Sequence, residues 1–549
     1  MAICFDLPCL STRTLFRTVC TGMTALLLAN CAQVHGDGPT LKRLFPAGAQ
    51  RGNTAEVAAL GDATKWPVHV WSDDAGIQWE PLADKGKFKV TVAADVRLGP
   101  HGVRFYDEES ATDRLTFIIG HIGEVNEVEP NDSAVKAQSV SELPKLINGV
   151  LEKQSEVDTF AVDLLQGQAL IASIQAEQGL GSPMDATLQI VSASGTVLAQ
   201  NLDTIGLDPQ IHYVASRAGR YLVRVFAFPG TPDGTISFAG GESFVYRLTL
   251  AHAGLLQGSL PLAVSTSNET TLALSGIGLG AVSSTVSPLP GAKKSVHRLT
   301  VDGSMNSIEL PIVDVPILVE QVPSSDQVHQ ELPIPSSISG RLSQSQEVDR
   351  YRFLAKKDTK LHLQLHAREF GFPIDGVLTI LDSQGKQLVR EDDAENRADS
   401  RAVWQPPADG EYVLEVSDAF NGGGALYLYR VDLRLAVSDV RTTLKADRFQ
   451  GQVGQPLEIA VSIERRDGFA HPLSVVVTGL PDTIQCPVVV SEKEGATAKD
   501  VTLKVTASAP FSGPIQIVAK NDADPASHFV ASAGTDSART ESIWLTIKP

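Results

Sequence analysis

The chain has 549 residues, 43% of them apolar, enough for three to five ordinary folded domains. Its formal net charge of −18 gives a surface that repels phosphate backbones and argues against nucleic-acid binding. Of five cysteines, only Cys486 lies beyond residue 31, which excludes a CxxC redox pair, a cysteine-rich zinc site and an internal disulfide in the mature chain.

Residues 1–32 read as an export signal. Arg13 and Arg17 precede a short apolar run around Leu26, Leu27 and Leu28, too short to span a membrane, and the small residues Ala29, Cys31 and Ala32 follow. Leu28-Ala29-Asn30-Cys31 also permits a lipoprotein reading with Cys31 acylated, although Asn30 stands where a small residue is expected. Soluble export is the expectation. Cleavage would remove Arg13, Arg17 and Asp6, leaving 44 basic against 63 acidic residues and a charge of −19. No later run is apolar for long enough to form a transmembrane segment, so the mature chain is expected to be secreted, periplasmic or at the cell surface.

Segment 38–123 contains Gly48-Ala49-Gln50-Arg51-Gly52, then Val57 to Gly61, then strands around Val68 and Val90. It resembles an immunoglobulin-like sandwich with a Gly-rich first strand. Trp66, Trp71 and Trp79 fall here. They could stack on sugars, but sandwich cores also use Trp, and core is the expectation.

Segment 124–252 opens on Glu127-Val128-Glu129-Pro130-Asn131-Asp132-Ser133. In extended chain Glu127, Glu129 and Asn131 point the same way, and Asp132 lies at the turn. The stretch is either a solvated linker with an Asn-Asp turn or part of a site for calcium, which takes six to eight hard oxygens. Short alternating strands follow: Phe160, Val162 and Leu164 share one face, as do Tyr221, Val223 and Val225. The acidic stretch Asp203 to Asp208 reads as a loop whose side chains accept backbone hydrogen bonds.

Segment 253–330 holds Thr271-Leu272-Ala273-Leu274-Ser275-Gly276 and reads as a small sandwich. In segment 331–437, His362 and His366 would suit zinc on a helix, but Leu361-His362-Leu363-Gln364-Leu365-His366 alternates as a strand with a solvated His face. Segment 438–549 has about seven strand-like runs, including Val501, Leu503 and Val505 with Thr502 and Lys504 between them, and reads as a last immunoglobulin-like sandwich. The fold class is all-β, a set of tandem β-sandwich modules strung in a line.

One module occurs twice. Gly149, Asp158, Asp185 and Tyr221 recur as Gly340, Asp349, Asp375 and Tyr412, at offsets of 191, 191, 190 and 191. The signature runs from Glu129-Pro130-Asn131-Asp132 through Gly149, Asp158-Thr159-Phe160 and Gly181-Ser182-Pro183-Met184-Asp185. It closes at Gly219-Arg220-Tyr221 and Tyr246-Arg247-Leu248. On these residues, 124–252 and 331–437 resemble the bacterial pre-peptidase C-terminal domain, a jelly-roll-like sandwich found beside secreted peptidases and in exported multidomain proteins. The resemblance implies calcium. In collagen-binding members the segment before the sandwich folds back and shares the ion with an acidic turn. The ligands implied here are Glu127, Glu129, Asn131, Asp132, Glu156 and Asp158. In the second copy Glu320 matches Glu127, and Glu347 and Asp349 remain, but Val322 replaces Glu129 and Pro323-Ser324-Ser325 replaces Pro130-Asn131-Asp132. A second site is therefore expected to be weaker. Collagen binding is not implied, because the tyrosine-rich face of the collagen binders is missing around Leu222, Arg224 and Phe226.

There is no GxSxG elbow, P-loop or HExxH motif. The expectation is a non-enzymatic binding or adhesion protein whose partner is an extracellular or periplasmic protein or glycan. The alternative is an accessory or targeting chain of a secreted protease system.

Overall fold

The structure is a computed structural model that describes residues 38–231, 237–290, 296–301, 303–321, 329–392, 399–436, 438–524, 527–534 and 539–549. The export signal, with Cys31, and the Val322 to Ser325 stretch lie outside these residues. The described chain is almost all β. Its helical pieces are the single turns Glu177–Leu180 and Arg368–Phe370. No helix among the described residues is long and apolar enough to cross a membrane.

Local patterning explains the strands. In Lys87–Val92, Phe88, Val90 and Val92 are buried while Lys89 and Thr91 face water, a strict period of two. The first sandwich pairs a sheet of Arg43–Phe45, Thr54–Leu60, Lys87–Val92 and Ile77–Pro81 with a sheet of Gly48–Gln50, Leu115–Gly120, Gly99–Tyr106 and His69–Ser72. Both sheets contribute to one core around Val57, Phe88, Phe105 and Phe117. Trp66 and Trp79 pack partly buried on that core, as expected.

The two repeated sandwiches share one topology. In the first, one sheet runs Gln138–Ser139, Asp158–Leu164, Gly219–Pro229, Met184–Ser192, Val197–Asn201. The other runs Glu124–Asn126, Lys145–Val150, Val245–Ala251, Ala169–Gln175, Gln210–Val214. In the second, the corresponding orders are Gln330–Glu331, Asp349–Ala355, Gly410–Asp418, Gly376–Asp382, Gln387–Glu391 and Ile317–Val319, Ser336–Arg341, Leu428–Leu435, Leu361–His366, Arg401–Trp404. A register shift falls at Ile190/Val191 and again at Ile380/Leu381. The Tyr221 hydroxyl donates to the Arg217 carbonyl and that of Tyr412 to the Ala408 carbonyl, both at 2.7 Å.

Asp208 and Asp399 repeat as well. Asp208 accepts the backbone N–H groups of Ala176, Glu177 and Gly179, holding the short helical turn. Asp399 does the same for Ala367, Arg368 and Glu369. This is the loop role expected for the acidic stretch. Burial pushes the Asp208 carboxyl up to about 6, against the pull of those N–H donors. Asp208→Ala should cost about 2 kcal/mol in urea unfolding, because several buried donors lose their acceptor together. A change below about 0.5 kcal/mol, the ordinary range of a neutral surface substitution, would show that the turn holds without it.

A small sandwich lies between the repeats, with sheets Leu255–Leu260, Thr270–Ile277, Val282–Val286 and Val264–Ser265, Ser307–Val313, Val296–Thr300. The last sandwich spans Asp439–Leu444 to Ile543–Lys548 around Ile459, Val461, Leu503 and Ile517. Cys486 follows the strand Ile484–Gln485, half-buried against this core, and burial pushes its thiol up.

Two expectations change. The sandwiches are not simply strung in a line, because the first and last touch. Trp71 and Tyr106 stack on Trp544 with ring centroids 6.0 and 4.8 Å away, and the fully buried Arg104 reaches Asp447 at 2.5 Å and the Thr112 carbonyl at 2.8 Å. Trp71 is thus an interface residue. The His face of Leu361–His366 is also not solvated throughout. His366 is buried between Glu369 at 2.6 Å and Asp432 at 3.3 Å, and Arg430 beside it bonds the Leu262 carbonyl of the small sandwich. The alternation holds, but the end of that face is buried by Glu369, Phe370 and Asp432 of the same sandwich, with the small sandwich reaching Arg430 beside it.

This cluster sets a pH dependence. Burial pushes the His366 imidazole down, and its hydrogen bonds to Asp432 and Glu369 outweigh that, so its net pKa is raised. A raised histidine contributes stability that is complete below its unfolded value of about 6.5 and is lost as pH rises through the folded value. Asp432 and Glu369 are held below their usual range, so their contribution is lost only in acid. Stability measured by urea unfolding should therefore fall from pH 6 into the alkaline range, with the raised carboxyls of Asp158 and Asp349 adding to the fall, and His366→Gln should make the slope shallower by the share of one proton. An equal slope in the variant would place the dependence elsewhere.

Candidate metal centre

Asp158 opens a strand in which Phe160, Val162 and Leu164 enter the core, and a period of two puts its carboxylate on the same inward face. It is fully buried. Tyr246, on the facing sheet, donates its hydroxyl to Asp158 Oδ2 at 2.6 Å and lies 3.2 Å from Glu127 Oε2. The short strand Glu124–Asn126 pairs parallel with Lys145–Val150 and delivers Glu127, whose Oε1 accepts the Val150 N–H at 2.5 Å. Glu129 completes the group, accepting the Asn131 N–H at 3.2 Å. Oxygens of Glu127, Glu129 and Asp158 lie within 4.8 Å of one another.

Electrostatics make this arrangement costly without a positive partner. Burial, before anything else, pushes Glu127 up to about 7. Burial and then the charge of Glu127 push Asp158 up to about 9. Asp158 Oδ1 and both side-chain polar atoms of the fully buried Asn131 have no hydrogen-bond partner among the described residues. The Tyr246 hydroxyl has one proton to offer Asp158 and Glu127, so the charge left on the converging carboxylates requires a further proton or a cation. Two oxygens on one calcium ion, each about 2.4 Å from it, are at most about 4.8 Å apart, so the triple fits a shared ion.

The remaining expected ligands stand apart from the triple. Asp132 is half exposed and turns to Lys136 at 3.2 Å, one helical turn's separation along the chain. Glu156 is buried, but Lys153 takes both its oxygens, by Nζ at 2.9 Å and by the backbone N–H at 3.1 Å. Sequence reasoning treated Tyr246 only as a family landmark. Its recurrence as Tyr429, beside the same aspartate, was the available signal.

The second sandwich gathers its own triple, Glu320, Glu347 and Asp349. Glu320 accepts the Arg341 N–H at 2.9 Å, as Glu127 accepts that of Val150, and Tyr429 donates to Asp349 at 2.5 Å. Burial, ahead of the neighbouring Glu320 charge, pushes Asp349 up to about 8. Glu347, the counterpart of Glu156, takes the third place that Glu129 holds in the first copy. The second copy thus has as many converging carboxylates as the first, contrary to the simple substitution count.

No protein-family model matches the chain. A Deinococcus radiodurans protein described as a probable subtilase-type serine protease is 29% identical over 239 residues, 42% of this chain. The chain spans about a quarter of that curated relative's length, 26%. Among solved structures, the pre-peptidase C-terminal domain of a Bacillus anthracis collagenase is similar at 16% identity, over 21% of this chain and 99% of that one, with a TM-score of 0.17. Fibronectin(III)-like modules of Clostridium thermocellum CbhA are similar at 13% identity, over 41% and 91%, with a TM-score of 0.13.

Proposed function

We propose that the chain is an exported, non-enzymatic binding or adhesion protein. In this reading both repeated sandwiches are pre-peptidase C-terminal-like domains, and calcium sits at the Glu127, Glu129 and Asp158 triple, with Asn131 beside it. The observation that carries the calcium reading is the buried Asp158 oxygen, which faces two other carboxylates and has no donor. The ion would supply charge neutralisation and tie the 124–129 segment to the sandwich. Binding modules of this kind present surfaces and loops on a rigid β frame, so the partner is a protein or glycan met outside the cytoplasm. Cell fractionation with mass spectrometry of the N-terminus tests export. Mature protein starting near residue 32 without a lipid is expected, and a diacylglyceryl-modified Cys31 or an uncleaved cytoplasmic chain would overturn it.

The similarity to a subtilase-type protease favours a second reading, an accessory or targeting chain of a secreted protease system. Affinity capture from the exported fraction separates the two. A stoichiometric protease partner supports the accessory reading, and its absence supports independent binding.

A further inference from the structure

A cavity of about 600 Å³ lies where the first sandwich, both repeated sandwiches and the small sandwich between them meet. We propose that it binds a small uncharged saccharide. The inference rests on reading the chain as a binding protein, and it names a ligand class for a place away from the carboxylate triples, none of whose residues line the cavity.

The volume falls in the range of small-ligand sites, which favour junctions between domains, and is too small for a folded partner. Charge decides the ligand class. Every ionic side chain on the wall has a partner within the molecule. Arg298 bonds Glu309 and the Ser307 hydroxyl, and Arg247 bonds Glu124 at 2.7 Å. Asp208 is held by backbone N–H groups, and Glu369 by His366. No ionic group on the wall is left to match a charged ligand, and burying an unmatched charge there would be costly.

Amides recur among the remaining polar groups of the wall: Gln175, Gln178, Gln210 and Gln257 all line the cavity, Gln178 exposed and the other three half-buried. Each amide offers two donor hydrogens and an acceptor oxygen, a match for hydroxyl groups, which both donate and accept. Phe370 and Phe372 also line the wall, Phe372 buried in the core of the second repeated sandwich and Phe370 half-buried beside it, so the amides alternate with apolar edges rather than open ring faces. The walls also meet directly. Gly371, at φ +85°, lies so close to Ile205 of the other repeated sandwich that a Cβ there would fall 2.9 Å from the Ile205 side chain.

The test is saturation-transfer NMR followed by calorimetry on the full chain. Glucose, galactose, N-acetylglucosamine and cellobiose serve as neutral probes, glucuronate and glucosamine as charged controls, all in EGTA. The expected result is binding of at least one neutral sugar without calcium. Gln175→Leu and Gln257→Leu, each checked for an unchanged melting profile, should weaken it about five- to tenfold, the yield of one neutral hydrogen-bonding group. No neutral sugar bound at millimolar concentration, charged controls binding equally well, or both variants binding like the parent would overturn the proposal. A peptide-library hit that competes for the cavity while no sugar binds would overturn it in favour of a peptide site. Because EGTA is present throughout, failure here leaves the calcium reading intact, and failure of the calcium reading leaves this one.

Discussion

Calcium added to EGTA-treated full-length protein is expected to raise the melting temperature of the repeated sandwiches by roughly 10 °C. An ion present at a hundred times its dissociation constant stabilises the folded state by about 2.7 kcal/mol, and each kcal/mol moves a domain of this size by several degrees. Asp158→Asn gives the sharper outcome. Its amide stands in for the protonated carboxyl that burial already favours at Asp158 without the ion, so in EGTA the variant should melt no lower than the parent. It should also lose the first sandwich's share of the calcium response. Glu320→Gln should do the same for the second, since three carboxylates converge in each copy. If calcium shifts neither transition, both triples are proton-sharing clusters and the 127–132 stretch is a linker. If only the first responds, three carboxylates alone do not make a site, and the oxygens near Asn131 decide it.

Arg104→Ala should be among the most damaging single substitutions in the chain, lowering stability by about 3–5 kcal/mol. The guanidinium is fully buried, bonded to Asp447 and to the Thr112 carbonyl, so truncation takes the donor from a carbonyl, leaves Asp447 with only Arg448 at 3.7 Å, and opens a gap inside the first sandwich. Trp544 is itself buried and stacks on Trp71 and Tyr106. Its emission should therefore move to the red under conditions where the cores of the two sandwiches remain folded. A loss below about 1 kcal/mol would mean that the aromatic contact alone holds the two sandwiches together.

Much of the fold was legible because sandwich strands write themselves in period two. Phe88, Val90 and Val92, or Phe160, Val162 and Leu164, declare their inward face without help from the rest of the chain. The repeat was legible because conserved spacing survives the substitution of most side chains, from Gly149 and Gly340 through Tyr221 and Tyr412. What covers an outward face was not legible. The strand at Leu361–His366 shows which side His366 takes, but the carbonyl of Leu262 that approaches its partner Arg430 comes from a different sandwich. The same limit applies to the candidate site. Glu127, Glu129 and Asp158 could be gathered from spacing and resemblance, since each follows its own strand or turn. The pull of Lys136 on Asp132 and of Lys153 on Glu156 depends on side-chain reach, which residue spacing does not set. Tyr246 escaped because a tyrosine among core positions reads as packing until its hydroxyl is seen on Asp158.

The meeting of the first and last sandwiches bears on how the chain is made. Arg104 and Asp447 are 343 residues apart. A ribosome adding about 5–20 residues per second needs roughly 20–70 s to supply the second after the first. Through that interval Arg104, Trp71 and Tyr106 are already part of a sandwich that can fold, yet their partners do not exist. A cation and two aromatic rings then sit uncovered on a finished β surface. That surface is open to pairing with another nascent copy until the C-terminal strands arrive.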